Sequence, residues 1–430
     1  MIPPVRPNVL FIVIDALRAD HLGFAGYQHP TSPCLDILAA EGTAFTTATA
    51  QAPFTMTSMP SLLSGRYPGS TFRWTRIELA DFGMQNAVVL GEGIGLLPAY
   101  LYRRGYTTGA FTANPVVANQ IRGIRAHFDH FDDQLRHRWT LDSAQNLNRL
   151  AHQWIRSLGD APWFCYLHYM DVHDPYYPPA EFARRFAPSF EKFPEPTRPW
   201  MNELVRRGGP SPAEFGNIVA MYDAGIAYLD HEICAFLDVL ASEERTRDLL
   251  VVVASDHGEE FMEHGSMGHG QSLHDELLRC PLILWWPGKV PQGLLVETPV
   301  SNVDIVPTVL DLVGIRPPAG IEGTSLVRAF RGTIPQGPVF SQTQGFAVRR
   351  GRWKLWQRPN GDIRLYDLDG DPGETVNRAA EYPDTLAALT DEVHAWYRGL
   401  VRPPMPASEA EGATIDAETV QLLKRLGYVE

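Results

Sequence analysis

Two stretches of the chain are apolar without interruption, Asn8 to Ile14 (NVLFIVI) and Leu249 to Ala254 (LLVVVA). Both are of strand length and rich in β-branched residues, which predicts strands covered on both faces by helices. An aspartate follows each, Asp15 directly and Asp256 after one serine. The pattern therefore sets both carboxylates at the carboxyl ends of parallel strands, where open α/β sheets keep their ligands. Between the two runs, helical and strand-like segments alternate. Thr31-Ser32-Pro33 ahead of LDILAAEG supplies a cap, a proline in the first turn and Gly42 as a stop. Leu96 to Arg104 reads as a helix and Tyr106 to Ala113 as a strand; Ser143 to Leu158 and Trp163 to Tyr169 repeat the pair. Pro212 to Leu240 has the pattern of one long amphipathic helix. Such alternation predicts a doubly wound, mostly parallel α/β sheet.

After about residue 335 the texture changes to short strand patterns around Gly and Asp turns (AVRRGRWKLW, IRLYDLDGDPGE), then a helix near Pro383 to Leu400. The expected organisation is a catalytic domain over 1–335 and a smaller C-terminal α+β subdomain over 336–402. A tail over 403–430 follows, ending in a short amphipathic helix (AETVQLLKRLGY). Residues 178–211 and 287–297 read as surface loops, and so does Phe72 to Val89.

Composition narrows the class of partner. Lys plus Arg number 37 against 50 Asp plus Glu, a formal charge of −13, which argues against nucleic acid or an anionic membrane as the main partner. No apolar run reaches membrane-spanning length, and Val9 to Ile14 is too short for a signal core, so the expected compartment is the cytoplasm. The four cysteines (Cys34, Cys165, Cys234, Cys280) match neither a CxxC pair nor a zinc spacing and read as reduced thiols.

Four segments carry candidate chemistry: IDALRADHLG at 14–23, APFTMTSMPSLLSGRYP at 52–68, YMDVHDPY at 169–176 and SDHGEEFMEHGSMGHGQSLHDE at 255–276. Asp256 and His257, adjacent at a strand end, can bind one divalent ion together. In this order, with TSPCLDILAAEG, YDAGIAYLD, SNVDIVPTVLDLVG, EGTSL and LYDLDGDPGETVN between and after them, the segments resemble the sulfatase family of the alkaline phosphatase superfamily. That resemblance covers nearly the whole chain. It implies an alkaline-phosphatase-like sheet domain, a C-terminal subdomain, a divalent metal at the strand ends and a covalent mechanism.

In the family the nucleophile opens a Cys/Ser-x-Pro-Ser-Arg motif and is converted to formylglycine. Counting back from Ser64-Gly65-Arg66-Tyr67-Pro68 places that position on Thr55; matching Pro-Ser literally places it on Ser58, but then Leu62 stands where the arginine belongs. The first register is favoured, with Ser58 as the alternative nucleophile. A threonine cannot become formylglycine, so Thr55 would attack as an alkoxide and form a phospho-threonine. A helix starting near Thr57 would aim its amides and dipole at the transferred anion, and Thr57 or Ser58 also suits an N-cap.

The metal set that the resemblance implies is Asp15, Thr55, Asp256 and His257. Ala16 replaces a second aspartate common in the family, which removes one oxygen ligand and favours Mn²⁺ or Zn²⁺ over Ca²⁺ or Mg²⁺. A second metal, on Asp171, His173 and His269, is not expected. His173 and His269 are carried over as catalytic and substrate-contacting groups, with His264 as the alternative to His269; Arg18 and Asn114 are further substrate-side candidates. Arg18 fits equally well in an ion pair with Asp20. Aromatic residues of the presumed loops (Phe72, Trp74, Tyr176, Tyr177, Trp200) could stack on the alcohol part of a small-molecule ester.

The function implied is metal-dependent hydrolysis of a sulfate or phosphate ester, with low-charge phosphorus esters (diester, phosphonate) favoured. A formylglycine sulfatase using Ser58, a phosphoryl transferase and a non-catalytic anion binder stay open, and oligomeric state is not readable from the chain.

Overall fold

A computed structural model describes residues 6–79, 83–137, 143–333, 337–404, 406 and 414–415. A nine-stranded sheet forms the centre. Its strands are β1 (Asn8–Ile14), β2 (Thr43–Thr49), β3 (Thr107–Thr112), β4 (His130–Asp132), β5 (Trp163–Tyr169), β6 (Leu249–Ser255), β7 (Arg279–Trp285), β8 (Leu294–Val296) and β9 (Val300–Ser301). They lie in the order β8-β2-β7-β6-β1-β5-β3-β4, with β9 also paired to β2. From β6 to β4 the pairing is parallel, while β7 runs antiparallel to β6 and β2. A fully apolar strand reads the same in either direction, so the reversal of β7 leaves no trace in the hydrophobic pattern.

Side chains of β1 alternate between two cores. Val9, Phe11 and Val13 join one cluster and Leu10, Ile12 and Ile14 the other, the arrangement that the uninterrupted apolar runs require. Helix α2 (Thr55–Ser64) packs in the first cluster; α1 (Pro33–Glu41), α3 (Ser143–Ser157) and α4 (Pro212–Ser242) pack in the second. Ile14 pairs with both Tyr169 and Ser255. This register ends β1, β5 and β6 at one level, so the residues following them emerge side by side.

The start of α1 corrects the expected cap. Ser32 makes no capping bond; instead Asp230 of α4 accepts from Cys34 N at 2.9 Å and from Leu35 N at 2.8 Å. A carboxylate on another helix thus satisfies amides that have no partner within α1.

The C-terminal part forms a four-stranded antiparallel sheet, β10 (Val339–Gln342), β11 (Phe346–Arg350), β12 (Trp353–Gln357) and β13 (Ile363–Asp367), packed by α5 (Pro383–Gly399). Trp396 of α5 stacks on Phe340 at 4.6 Å. Buried Lys354 of β12 bonds Asp275, ahead of β7, at 2.7 Å and Glu374 at 3.0 Å, tying this sheet to the central one.

Three expected loops contain regular structure. Phe72–Leu79 and Gly83–Leu90 pair as an antiparallel ribbon, Ala180–Phe186 and Arg198–Arg206 are helices, and 287–297 includes β8. The amphipathic helix expected at 417–428 lies outside the described residues. Among those described, no helix is long and apolar enough to cross a membrane.

Asp230 is a single-residue test of this packing. Asp230→Ala strands two buried amides at the start of α1 and should lower the unfolding free energy by about 2 kcal/mol in urea denaturation. Asp230→Asn keeps an acceptor and should lose less.

Candidate active site

Asp15 leaves β1 with its amide still bonded to Tyr169 O at 3.0 Å, which holds the carboxylate at the strand end. Ala16 then turns the chain with a positive φ of 58°, sparsely populated by L residues, and its amide reaches Asp256 Oδ1 at 3.4 Å. Asp15 and Asp256 are both fully buried. Burial, and next the charge of Asp15, push the Asp256 carboxyl above the usual range. Burial also pushes Asp15 upward, but the hydrogen bond from His168 and the nearby His173 and His257 outweigh it and leave Asp15 well below that range. Asp15 Oδ1 and Asp256 Oδ2 make no hydrogen bond.

His257 points at the same place. Its Nδ1 bonds Gly258 O at 2.8 Å, which assigns the proton to Nδ1 and leaves the Nε2 lone pair free to accept. That Nε2 stands 3.4 Å from Asp15 Oδ1 and 3.5 Å from Asp256 Oδ2. Two bare carboxylate oxygens and an imidazole nitrogen, converging in a water-poor pocket, are the donors that one divalent cation takes.

Thr55 opens α2, and its hydroxyl lies 3.3 Å from Asp15 Oδ2 and 3.2 Å from His257 Nε2. Ser58 Oγ instead turns back to Thr55 O within the helix at 3.5 Å. Phe54, in extended conformation, occupies the N-cap with no side-chain bond, and Thr57 Oγ1 returns to Phe54 O. Neither Thr57 nor Ser58 is the N-cap residue, and the first turn opens toward the carboxylate cluster.

Asn114 reaches the cluster from the end of β3. Its Nδ2 donates to Asp15 Oδ2 at 2.6 Å, while its Oδ1 caps the following short helix. His168 Nε2 contacts the same Asp15 oxygen at 3.0 Å, and Tyr166 OH meets His168 Nδ1 at 2.6 Å. The sequence reading passed over His168, hidden inside the buried strand WFCYLHY. Tyr and His two apart on one face of such a strand, near an aspartate-bearing strand end, are the signal that could have found it.

His173 and His269 face one another, rings 4.8 Å apart, and His269 lies 4.4 Å from the His257 ring. Burial, then the charges of His257, Arg198 and His173, hold His269 well below its ordinary pKa. It is therefore a neutral imidazole here. Arg198, from the segment read as a loop, contacts His269 Nδ1 at 3.1 Å and forks onto Asp174 at 2.5 and 3.1 Å. Glu259 lies 3.0 Å from His269 Nδ1, and burial raises its carboxyl strongly. Arg198, Asp174 and Glu259 were also missed.

Other candidates take different places. Arg18 is bound by Asp20 at 2.7 Å and Glu263 at 2.5 Å, the ion-pair alternative, with a further bond to Glu259 O. Asp171 caps α3 through Ser143 Oγ at 2.7 Å and Ala144 N at 3.2 Å. His264 stacks on His274 at 3.4 Å and lines a smaller cavity of about 440 Å³. His269 lines the main cleft.

That cleft has a volume of about 1350 Å³ and is bordered by Phe54, Trp74, Arg73, Arg198, His269 and Arg402, with Gln342 and Tyr397 from the C-terminal part. Of the proposed aromatic contacts, Phe72 and Trp74 line it. Tyr176 is buried in the core, and Tyr177 bonds Glu195.

Residues 7–315 match the family described as Sulfatase, and 263–397 match the one described as N-sulphoglucosamine sulphohydrolase, C-terminal. Arylsulfatase K of Mus musculus is 24% identical over 90% of this chain and 79% of its own length. Phosphonate monoester hydrolase from Silicibacter pomeroyi shares the fold with a TM-score of 0.75 at 20% identity, over 92% of this chain and 96% of that one. A protein solved with its substrate D-glucosamine-2-N,6-O-disulfate has a TM-score of 0.73 at 17% identity, covering 92% and 98%. The two solved structures share the fold over nearly the whole chain.

If the bare oxygens mark a cation site, Asp256→Asn should weaken Mn²⁺ binding at least about 100-fold in isothermal titration calorimetry. Asp171→Asn, on the α3 cap, should leave that binding unchanged.

Proposed function

The chain belongs to the sulfatase family and is an ester hydrolase, and on that premise we propose that Thr55 is its nucleophile and low-charge phosphorus esters, phosphodiesters or phosphonate monoesters, are its substrates. The observation that supports this reading best is the position of the Thr55 hydroxyl, within 3.3 Å of Asp15 and 3.2 Å of His257, where the Ser58 hydroxyl is not.

Asp15, Thr55, Asp256 and His257 would hold one divalent cation, whose charge makes a threonine hydroxyl acidic enough to attack at neutral pH. With one imidazole among the donors and alanine at position 16, Mn²⁺ or Zn²⁺ suits the set better than Ca²⁺ or Mg²⁺. Asp15, fixed by Asn114 and His168, holds Thr55 Oγ1 beside His257. The phosphoryl centre then sits in front of α2, whose first turn favours its oxygens. His269, neutral beside Arg198, donates a hydrogen bond from Nε2 to those oxygens or to the departing alkoxide, and His173, whose Nδ1 proton is held by Asp174 O, faces it across the site. Attack opposite the leaving group gives phospho-threonine, which water hydrolyses at phosphorus. A sulfated threonine has no second hydroxyl to expel sulfate, so the same residue is poorly matched to sulfate esters.

Substrate charge follows from the surroundings. Arg198 is the cation against His269, and Asp174 already pairs with it. A dianionic monoester asks for more positive charge than this, whereas a monoanion does not.

The test is turnover of 4-nitrophenyl phosphodiester, phosphonate, phosphate monoester and sulfate substrates by metal-stripped enzyme refilled with Mn²⁺ or Zn²⁺. Thr55→Ala should lower kcat on the diester or phosphonate by at least about 10³-fold, and Ser58→Ala should change it by less than about tenfold. Sulfate turnover that Ser58→Ala abolishes and Thr55→Ala spares would overturn the assignment.

A further inference from the structure

A second group of ligand-type side chains lies at the smaller cavity, which His264 and His274 line, with Glu276 beside them. His264 Nε2, His274 Nδ1 and Glu276 Oε1 all fall within 4.8 Å of one another. Each of these atoms is buried and makes no hydrogen bond. His264 Nε2 and Glu276 Oε1 stand 3.2 Å apart, close enough to bond but out of bonding geometry. His274 Nδ1 also lies 3.4 Å from Glu374 Oε2; three buried polar atoms without a hydrogen bond in one spot are costly, and native proteins fill such spots with an ion or water.

The surroundings hold these side chains in place. His264 occupies the turn between the short paired strands Glu260–Phe261 and Met267–Gly268. Glu260 clamps that turn, accepting from the amides of His264 at 3.2 Å and Ser266 at 3.0 Å and from Gln271 at 2.7 Å. His274 precedes the short helix Asp275–Leu278, and its ring is wedged against Trp356 at 4.8 Å and Tyr366 at 5.6 Å from the C-terminal sheet. Glu276 follows two residues later. The cavity beyond them, about 440 Å³, is also bordered by Ser272, Arg358 and Arg364 and has room for water.

We propose that His264, His274 and Glu276 form a zinc site separate from the Thr55 cluster. Two imidazole nitrogens and one carboxylate oxygen, with water in the remaining position, make a tetrahedral set that Zn²⁺ prefers to the harder cations. Coordination asks each imidazole to tilt from the present stack, at 7° between planes, until its lone pair meets the ion. The bound ion would tie the turn that leads into His269 to the segment carrying Asp275, which Lys354 holds against the C-terminal sheet. Its role is to fix His269 in the cleft wall and not to touch substrate.

The test uses the full chain, stripped of metal and titrated with Zn²⁺ alone, with bound zinc counted by elemental analysis after gel filtration. Asp256→Asn serves as the background, because it disables the proposed Thr55-side cation set. In that background a zinc equivalent should remain bound. Adding His274→Gln or Glu276→Gln should weaken it by more than about 100-fold, beyond the loss of an outer partner. Zn²⁺ should raise the Tm of Asp256→Asn and leave that of the added variants unmoved. Co²⁺ in Asp256→Asn should show the intense visible bands of tetrahedral coordination, a readout that needs no further substitution. Zinc binding unchanged by His274→Gln or Glu276→Gln, or an Asp256→Asn protein with neither bound zinc nor those bands, would overturn the site. Neither result bears on whether Thr55 is the nucleophile.

Discussion

Asp15 and Asp256 are buried side by side at the ends of adjacent parallel strands, and the rest of the site is arranged around the cost of that juxtaposition. Two carboxylates withdrawn from water repel one another and each loses its hydration, a penalty of several kcal/mol per ion unless a partner replaces the water. The protein replaces it unequally. Asp15 receives Asn114 on Oδ2, with His168 beside the same oxygen, while Asp256 accepts two backbone amides on Oδ1. The remaining oxygens face each other and His257 with no hydrogen bond. A buried cluster left short of positive charge in this way is a poor contribution to stability and a good receptor for a cation.

Register makes the juxtaposition possible. β1, β5 and β6 end level, so Asp15, the segment bearing His173, and Asp256–His257 emerge together. Helix α2 then brings Thr55 in from the sequence after β2, with its N-terminus toward the carboxylates. The same geometry sets Ser58 apart from the cluster: three residues along an α-helix is most of a turn and about 4.5 Å of rise. Its hydroxyl meets the helix backbone before it can meet the cluster.

Asp15, Thr55, Asp256 and His257 were legible in the sequence because apolar runs mark strand ends and the order of motifs carries a family pattern. Four strands of the sheet, β1, β3, β5 and β6, were legible for the same reason, while β2, β4, β7, β8 and β9 were not. His168 was not, because its signal is a tertiary one: a histidine within an apolar strand acquires meaning only when Asp15 is beside it. Arg198 was lost in a Pro-rich stretch that forms helices once packed, and its partner Asp174 looks like an ordinary turn residue. His264 and His269 share one short motif, and local spacing does not separate them. The paired strands Glu260–Phe261 and Met267–Gly268 send one to each of two cavities. Arg18 looked available from its distance to Asp15, yet Asp20 and Glu263 consume its charge.

The charges around Thr55 bear on what can be transferred. One divalent cation, for which Asp256 as well as Asp15 would have to be deprotonated, would neutralise the two carboxylates. His257 donates from Nδ1 to Gly258 O, burial keeps His269 neutral, and Arg198 is paired with Asp174. Burial likewise pushes Glu259 toward its uncharged acid. With a cation in place, the wall facing Thr55 would carry almost no net charge. An aspartate at position 16 would have made it negative again, and alanine there avoids this. In such surroundings a monoanion meets hydrogen-bond donors and a helix N-terminus, while a second negative charge asks for more positive charge than the residues around Thr55 supply. Alanine at 16 and threonine at 55 are consistent with each other on this ground: both suit an ester with a single charge and an intermediate that water can reopen.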